Sequence, residues 1–102
     1  MLLCPVSITP AFPHVPAGSL YGRRTDVDVD GKPRSYSDIS CWTSFIGFAH
    51  LPATVAPAGL TAGGLPVGIQ IVAPFLEDRT AIDVARRIGE VVGGYQVPPM
   101  AQ

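Results

Sequence analysis

Glycine and proline divide this chain into short segments, and they limit its possible folds more than any other feature. Eleven of each occur among 102 residues, against a usual combined share of about 12%. They stand between short apolar runs and follow no repeat period, so they mark turns and not a low-complexity tract. The pattern favours one domain at most, with a small sheet and long connections, over a helical bundle.

The balance of apolar and charged residues excludes several classes of protein. The chain is 47% hydrophobic and 15% charged, with a formal net charge of −1. It is too apolar for a disordered tail, and it lacks the basic excess of a nucleic-acid binder. Proline and glycine interrupt every apolar stretch before it reaches the roughly 18 residues of a membrane span, and the N-terminus lacks the basic region of a signal peptide. We therefore expect a cytoplasmic protein that binds neither nucleic acid nor membrane.

Three apolar runs have the length and bounds of β-strands, at residues 2–7, 53–57 and 67–73. The third run is the clearest. Its two faces are both apolar except for Gln70, which predicts an interior strand covered on both sides. Gly68 in the same run predicts a close approach by another part of the chain.

A β-hairpin is predicted near residues 27–35. Asp30-Gly31 is a favoured two-residue turn between alternating residues. We expect the second arm to be weak, because Pro33 has no N–H to donate to a ladder.

Two helices are predicted near residues 37–49 and 78–92, where apolar residues recur at spacings of three and four. We expect Ser37 or Asp38 to cap the first helix and Asp78 to cap the second. Strands and helices together indicate an α/β fold. The two predicted apolar stripes comprise Ile39, Trp42, Phe45, Ile46 and Ala49 in the first helix, and Ala81, Ile82, Ala85, Ile88 and Val92 in the second.

The segment 26–31 has the acidic spacing and the glycine of the opening of a calcium-binding EF-hand loop. The remainder of that motif is missing, since Ser37 stands where a bidentate glutamate belongs and Pro33 falls within the loop. Hairpin alternation explains the same residues, so we expect no metal site.

Candidate catalytic groups are few. Cys4 and Cys41 have no CxxC spacing and are expected to be free thiols. With His14 and His50 they leave open a small thiol hydrolase, although neither cysteine has a recognisable nucleophile setting. Lys32 is the only lysine, and its place at a turn tip between aspartates favours the charged form over a general base.

A family resemblance is carried by two adjacent motifs. Residues 51–59 read LPATVAPAG and residues 64–74 read GLPVGIQIVAP, and both closely resemble the last part of amidase-signature enzymes. Residues 3–7 and 10–13 are similar to an upstream strand of the same region, and residues 30–36 fit a bacterial subgroup. The resemblance covers nearly the whole chain, and its specific part is the segment 51–74.

The resemblance implies hydrolysis of carboxylic amides by a Ser–Ser–Lys triad, without a cofactor. This sequence has no Gly-Gly-Ser-Ser-Gly-Gly run, and Lys32 stands in a different context, so no catalytic residue can be assigned. Residues 1–102 would form the incomplete C-terminal part of an amidase domain and contribute to its mixed central sheet. Because Met1 stands where a full enzyme would already be near its end, we expect a shortened piece that is inactive alone.

The resemblance also implies a role for the helix that precedes residue 51, which in these enzymes lines the acyl side of the substrate channel. Trp42, Phe45 and Ile46 would then be substrate-binding residues of the complete enzyme. Ordinary core packing explains the same apolar stripe. Both interpretations stay open at the level of sequence.

Association with other polypeptide is the remaining expectation. A strand that is apolar on both faces lacks cover in so short a chain, and exposed patches and edges invite contacts. We therefore expect self-association or pairing with another polypeptide. An assembly or binding module derived from the amidase fold is the alternative to an inactive enzyme fragment, and an amide substrate is expected only for the completed enzyme.

Overall fold

The computed structural model describes residues 1–14 and 25–97. Three strands form one sheet in the order β1-β5-β4, and two further strands form a separate hairpin. The α/β fold and all six predicted elements are confirmed, with small shifts of their ends. In chain order the elements are β1 (Leu2–Pro5), β2 (Asp26–Val29), β3 (Lys32–Ser35), a 3₁₀ turn (Tyr36–Ser40), α1 (Cys41–Phe48), β4 (Ala53–Leu60), β5 (Pro66–Val72) and α2 (Asp78–Val92).

Strand β5 is the centre of the larger sheet, as its two apolar faces predict. It pairs antiparallel with β1 on one side and with β4 on the other. Gln70, Ile71 and Val72 are all buried, and Ile71 is fully inaccessible. Successive side chains of a strand point to opposite faces, so the sheet buries apolar groups in two directions.

The close approach predicted at Gly68 is also confirmed. A Cβ atom on this residue would lie 2.9 Å from Cγ1 of Val55, on the neighbouring strand, and 3.5 Å from the backbone oxygen of Ala56. Real Cβ atoms essentially never come within 3.0 Å of another heavy atom. Position 68 therefore favours glycine, because a larger side chain would clash with Val55.

The register of β4 on β5 determines which backbone groups face the free edge. The N–H of Ala73 donates to the C=O of Pro52 over 3.0 Å, and antiparallel residue pairs alternate between hydrogen-bonded and non-hydrogen-bonded. Thr54 and Ala56 therefore bond to β5, whereas the N–H and C=O groups of Ala53 and Val55 point away from it.

This alternation explains how the sheet accommodates its prolines. Pro57 lies two residues after Val55 on the strand, so its backbone groups point to the same side and its missing N–H falls on the outer edge of β4. In the pairing of β1 with β5, Cys4 bonds to Gln70, and Pro5 again faces outward. Neither proline removes a ladder hydrogen bond, because both lie on edge strands at outward positions.

The β2–β3 hairpin forms as predicted, and its second arm is paired along its whole length. The N–H of Tyr36 donates to the C=O of Thr25, which places Pro33 at a non-hydrogen-bonded position. The expected weakening by Pro33 is therefore wrong, because no ladder bond is lost. Asp30 and Gly31 have φ of 54° and 77°, as a type I′ turn requires.

Helix α2 covers one face of the sheet, mainly over β4. The predicted stripe is partly wrong here: Ile82 is 59% exposed and Val92 is 44% exposed, whereas Val84 packs inward. One residue advances a helix by about 100°, so Ile82 lies to the side of a stripe centred on Ala81. The core on this face comprises Ala56, Ile71, Ala73 and Ala81, flanked by Ile69, Val84, Ala85 and Ile88.

The first predicted helix departs further from its expected form. Residues 36–40 form a 3₁₀ turn with three residues per turn, so the 3.6-residue stripe does not extend through Ile39. The N-cap of α1 is Ser40, and neither Ser37 nor Asp38 caps it through a side chain. Asp38 instead accepts a hydrogen bond from Nε of Arg34 over 3.1 Å.

Helix α2 has the predicted bounds, but its N-cap differs from the predicted one. Its N-cap is Glu77, without a side-chain hydrogen bond, and Asp78 is the first helical residue, so the capping expected of Asp78 is wrong. Gly93 at the C-terminus has φ of 97° and donates its N–H to the C=O of Gly89. This left-handed conformation favours glycine and stops the helix.

Candidate functional site

The three residues expected to bind substrate lie on α1, but the structure separates them. Ile46 is only 4% exposed and forms a second core cluster with Cys4 and Val72. Trp42 is 37% exposed and Phe45 is 65% exposed. Ile46 therefore attaches α1 to the sheet, and the two aromatic side chains are the ones accessible to another molecule.

The two thiols are unpaired and occupy different environments. Cys4 is buried, and its sulfur accepts a hydrogen bond from Nε2 of Gln70 over 3.7 Å. Cys41 is exposed at the first position of α1. Among residues 1–14 and 25–97, neither His14 nor His50 hydrogen-bonds to a thiol, so the structure assembles no Cys-His pair there.

Lys32 lies at the start of β3 in the hairpin and is exposed. It makes no ion pair with any residue in the described part of the chain. This setting does not bring the lysine to a serine or into a cleft, as catalysis by a Ser-Lys pair would require.

The aspartates of the hairpin serve its turn. Oδ1 of Asp28 accepts a hydrogen bond from the N–H of Gly31 over 3.1 Å. Over residues 1–14 and 25–97, no three His, Cys, Asp or Glu side chains converge as metal ligands would. The geometry thus supports the hairpin interpretation of the segment 26–31.

The clearest concavity is a groove of about 650 Å³ where the far ends of β4 and β5 meet the end of α2. Among the described residues, its lining includes no carboxylate, imidazole, thiol or amine, and the polar side chains beside it are those of Tyr95 and Gln96. Sequence patterns did not indicate this groove, whose lining includes Pro57 and Gly59 on either side of a register shift in β4. Its lining comprises Val55, Ala56, Pro57, Gly59, Leu60, Pro66, Val67, Gly68, Val92, Gly94, Tyr95 and Gln96.

Charged side chains form one network on the solvent side of α2. Asp83 accepts hydrogen bonds from Nε of Arg87 over 2.8 Å and from Nη2 of Arg86 over 2.9 Å. These bonds, that of Arg87 first, hold the pKa of Asp83 below its ordinary value. Asp83, together with the charge of Glu90, raises the pKa of Arg86. The network is solvated and stabilises the helix, so it does not form a reaction centre.

No helix among the described residues is both long enough and apolar enough to cross a membrane.

Comparison with known proteins gives a family for this fold and its β4–β5 motif. A sequence model of the amidase family, described as Amidase, matches residues 1–82. Fatty-acid amide hydrolase 2-A of Danio rerio is 40% identical over 57 residues, which cover 56% of this chain and 11% of that protein. The A subunit of the glutamyl-tRNA(Gln) amidotransferase of Xanthobacter autotrophicus is 33% identical over 90 residues, which cover 88% of this chain and 17% of that protein.

The chain belongs to the amidase family, since the family model matches most of its length. It spans between 11% and 17% of the length of these two relatives.

Proposed function

We propose that this chain is the C-terminal part of an amide-hydrolysing enzyme and that it is inactive by itself. It contributes β1, β4, β5 and two helices to the enzyme's α/β domain, and the catalytic triad belongs to polypeptide outside these 102 residues. The observation that carries the proposal is the segment 51–74. This specific motif of the resemblance folds as the β4–β5 pair of the larger sheet, in which β5 is the central strand. The described residues bring no thiol to a histidine.

The proposed substrate class is a carboxylic amide. The names of both relatives refer to reactions at an amide, one as an amide hydrolase and one as part of an amidotransferase. Trp42 and Phe45 are proposed to face the substrate channel of the completed enzyme, since both are accessible on α1. Ile46 would act indirectly, by holding α1 against the sheet through Cys4 and Val72.

We also propose that the enzyme belongs to a bacterial subgroup of amidases and acts in the cytoplasm. The hairpin at residues 30–36 supports a member of the bacterial subgroup of amidases, on the resemblance of its sequence. Free Cys4 and Cys41 support the reducing environment of the cytoplasm.

The decisive test is an amide-hydrolysis assay of the purified chain on aliphatic and aromatic amides. We expect no turnover above a mock purification from cells that lack the gene. Turnover that survives replacement of both cysteines by alanine would overturn the proposal. Turnover that disappears with Cys41→Ala but persists with Cys4→Ala would overturn it in favour of a thiol hydrolase.

A second role, as an assembly module, is favoured by a separate observation. Large apolar side chains remain exposed on both helices, including Phe45 and Phe48 on α1 and Val91 on α2. Exposed large apolar side chains of this kind favour contact with another polypeptide. Light scattering of the purified chain over a dilution series tests this role, and a monomer at every concentration would contradict it.

A further inference from the structure

The tip of the β2–β3 hairpin holds the one Asp-Gly pair of the chain. Such a pair is chemically reactive, because the glycine nitrogen can attack the side-chain carboxyl carbon of the aspartate and close a five-membered ring. Glycine has no side chain to obstruct this closure. Among the six aspartates only Asp30 precedes a glycine, and the chain contains no asparagine that could react in the same way.

The other aspartates have neighbours that hinder the ring. Four of the five precede a valine or an isoleucine, whose β-branched side chain crowds the attacking nitrogen. They are Asp26, Asp28, Asp38 and Asp83. The fifth, Asp78, lies with the residue that follows it in helix α2, whose geometry fixes the backbone angles. Residue order therefore concentrates this reactivity at Asp30.

The structure leaves the Asp-Gly pair accessible to solvent and restrains its backbone. Asp30 and Gly31 are both exposed, and their φ angles of 54° and 77° belong to the two-residue turn. The attacking atom is already engaged, since the N–H of Gly31 donates to Oδ1 of Asp28 over 3.1 Å. Ring closure breaks this bond, because the nitrogen must lose its proton and turn toward the side chain of Asp30. A carboxylate beside the nitrogen also disfavours the negative charge that loss of the proton creates.

We propose that Asp30 is a site of spontaneous isoaspartate formation and that Asp28 restrains the reaction in the folded chain. The nitrogen of Gly31 forms a bond to Cγ of Asp30, and the hydroxyl of the protonated carboxyl leaves with the proton of the nitrogen as water. The product is a succinimide. Solvent water then adds to one of its two carbonyl carbons, and the bond from that carbon to the nitrogen breaks. Attack at Cγ restores aspartate, whereas attack at the main-chain carbon gives isoaspartate of unchanged mass.

Isoaspartate changes the hairpin, because the main chain then runs through Cβ and Cγ of residue 30 and is one atom longer. The geometry of a two-residue turn sets the pairing of its flanking strands, which here begins with Val29 and Lys32. The longer turn loses this geometry, so the modification opens the tip of the hairpin. The reaction needs neither a substrate nor the catalytic residues of an amidase, and it is independent of the function proposed above.

The first experiment ages the whole folded chain at about pH 5, where a fraction of ordinary aspartate carboxyls is protonated. Protein isoaspartate methyltransferase with a labelled methyl donor counts the modified residues. A protease that cleaves before aspartate but not before isoaspartate locates them. We expect loss of cleavage before residue 30 alone, and no signal in Asp30→Glu, whose longer side chain would have to close a six-membered ring. Isoaspartate chiefly at another aspartate would overturn the proposal.

Asp28→Ala tests the restraint. The variant removes the acceptor of the Gly31 N–H, and loss of a hydrogen bond to a charged group from the ground state should raise the rate about tenfold. Asp26→Ala is the matched control, at an exposed aspartate of the same strand that lies further from the turn. It should leave the rate unchanged. A rate in Asp28→Ala equal to or below that of the native chain would overturn the proposal, and a lower rate would identify Asp28 as a base.

Two measurements cover the case in which Asp28→Ala loses its hairpin. Amide hydrogen exchange at Tyr36, whose N–H donates to the C=O of Thr25, reports whether the strands still pair. If they do not, Asp28→Asn decides, because it keeps an oxygen acceptor: a rate below that of Asp28→Ala supports the proposal, and an equal rate overturns it.

Concentrated urea provides the last comparison, since it removes the contact between Asp28 and Gly31 in every variant. The native chain and Asp28→Ala should then form isoaspartate at the same rate. A ratio between their rates that is as large in urea as in the folded chain would overturn the restraint by the folded structure.

Discussion

Nε2 of Gln70 lies 3.7 Å from the sulfur of Cys4, and the two residues face each other across the β5–β1 pair. Both are buried. The contact joins the central strand to an edge strand at a site where a polar amide would otherwise lack a partner. The contact supports a structural role for Cys4.

Removal of the Cys4 sulfur is expected to destabilise the fold. Cys4→Ala leaves a small cavity and deprives the amide of Gln70 of its sulfur acceptor, at a cost of about 1–2 kcal/mol in the free energy of unfolding. Cys41→Ala is the control, since Cys41 is exposed, and it should change stability by less than about 0.5 kcal/mol. Urea titrations followed by circular dichroism measure both. Equal midpoints for the two variants would contradict the structural role.

A buried isoleucine and an exposed isoleucine provide a second test. Ile71 is fully buried between β1 and β4, whereas Ile82 on α2 is largely exposed. Ile71→Val should cost about 1 kcal/mol in the free energy of unfolding, and Ile82→Val less than about 0.5 kcal/mol. Urea midpoints at one protein concentration give the comparison. A larger loss at Ile82 would show that the stripe predicted from sequence, and not the structural one, faces the core.

The space at Gly68 predicts a steric effect that a second substitution relieves. Gly68→Ala brings a Cβ against Cγ1 of Val55, and such overpacking costs about 1 kcal/mol. In a Val55→Ala background the clash disappears, so the same substitution should become neutral or stabilising. Gly63→Ala is the control, because its nearest neighbour is the Thr61 hydroxyl at 3.8 Å. A double-mutant cycle with no coupling between residues 55 and 68 would refute the contact.

The network on α2 predicts a small dependence of stability on acid pH. Hydrogen bonds from Arg87 and Arg86 lower the pKa of Asp83. A carboxyl with a lowered pKa stabilises the fold above its unfolded pKa, and this contribution is lost as the pH falls through the folded pKa. The loss therefore occurs below about pH 4.

Asp83→Asn should be slightly less stable than the native chain near neutral pH, and the difference should close as the pH falls below about 4. Because all partners are exposed, the difference should also shrink at high salt. Asp26→Asn, at an exposed aspartate without an ion pair in the described ranges, serves as the control. Thermal unfolding at several pH values measures the effect, and a difference that grows in acid would have the wrong sign for this mechanism.

The sequence predicted the elements of this fold better than their surfaces. Strand β5, the β2–β3 hairpin and the end of α2 at Gly93 follow from local rules on alternation, turn residues and glycine. The apolar stripe predicted for the first helix is only partly buried: a 3₁₀ turn interrupts it before Cys41, and within α1 Ile46 is buried whereas Phe45 is exposed. Burial depends on which elements meet, and no local pattern encodes that.

The candidate functional site was likewise predicted only in part from the sequence. Sequence alone supplied the amidase motif at residues 51–74 and the absence of a glycine–serine loop, because both are properties of residue order. Only the tertiary structure placed Cys4 beside Gln70, separated Ile46 from Phe45, and turned the backbone groups of Ala53 and Val55 toward an open edge. Hydrogen-bond parity in a sheet is fixed by the register between strands that are distant in sequence, so it exists only once the chain has folded.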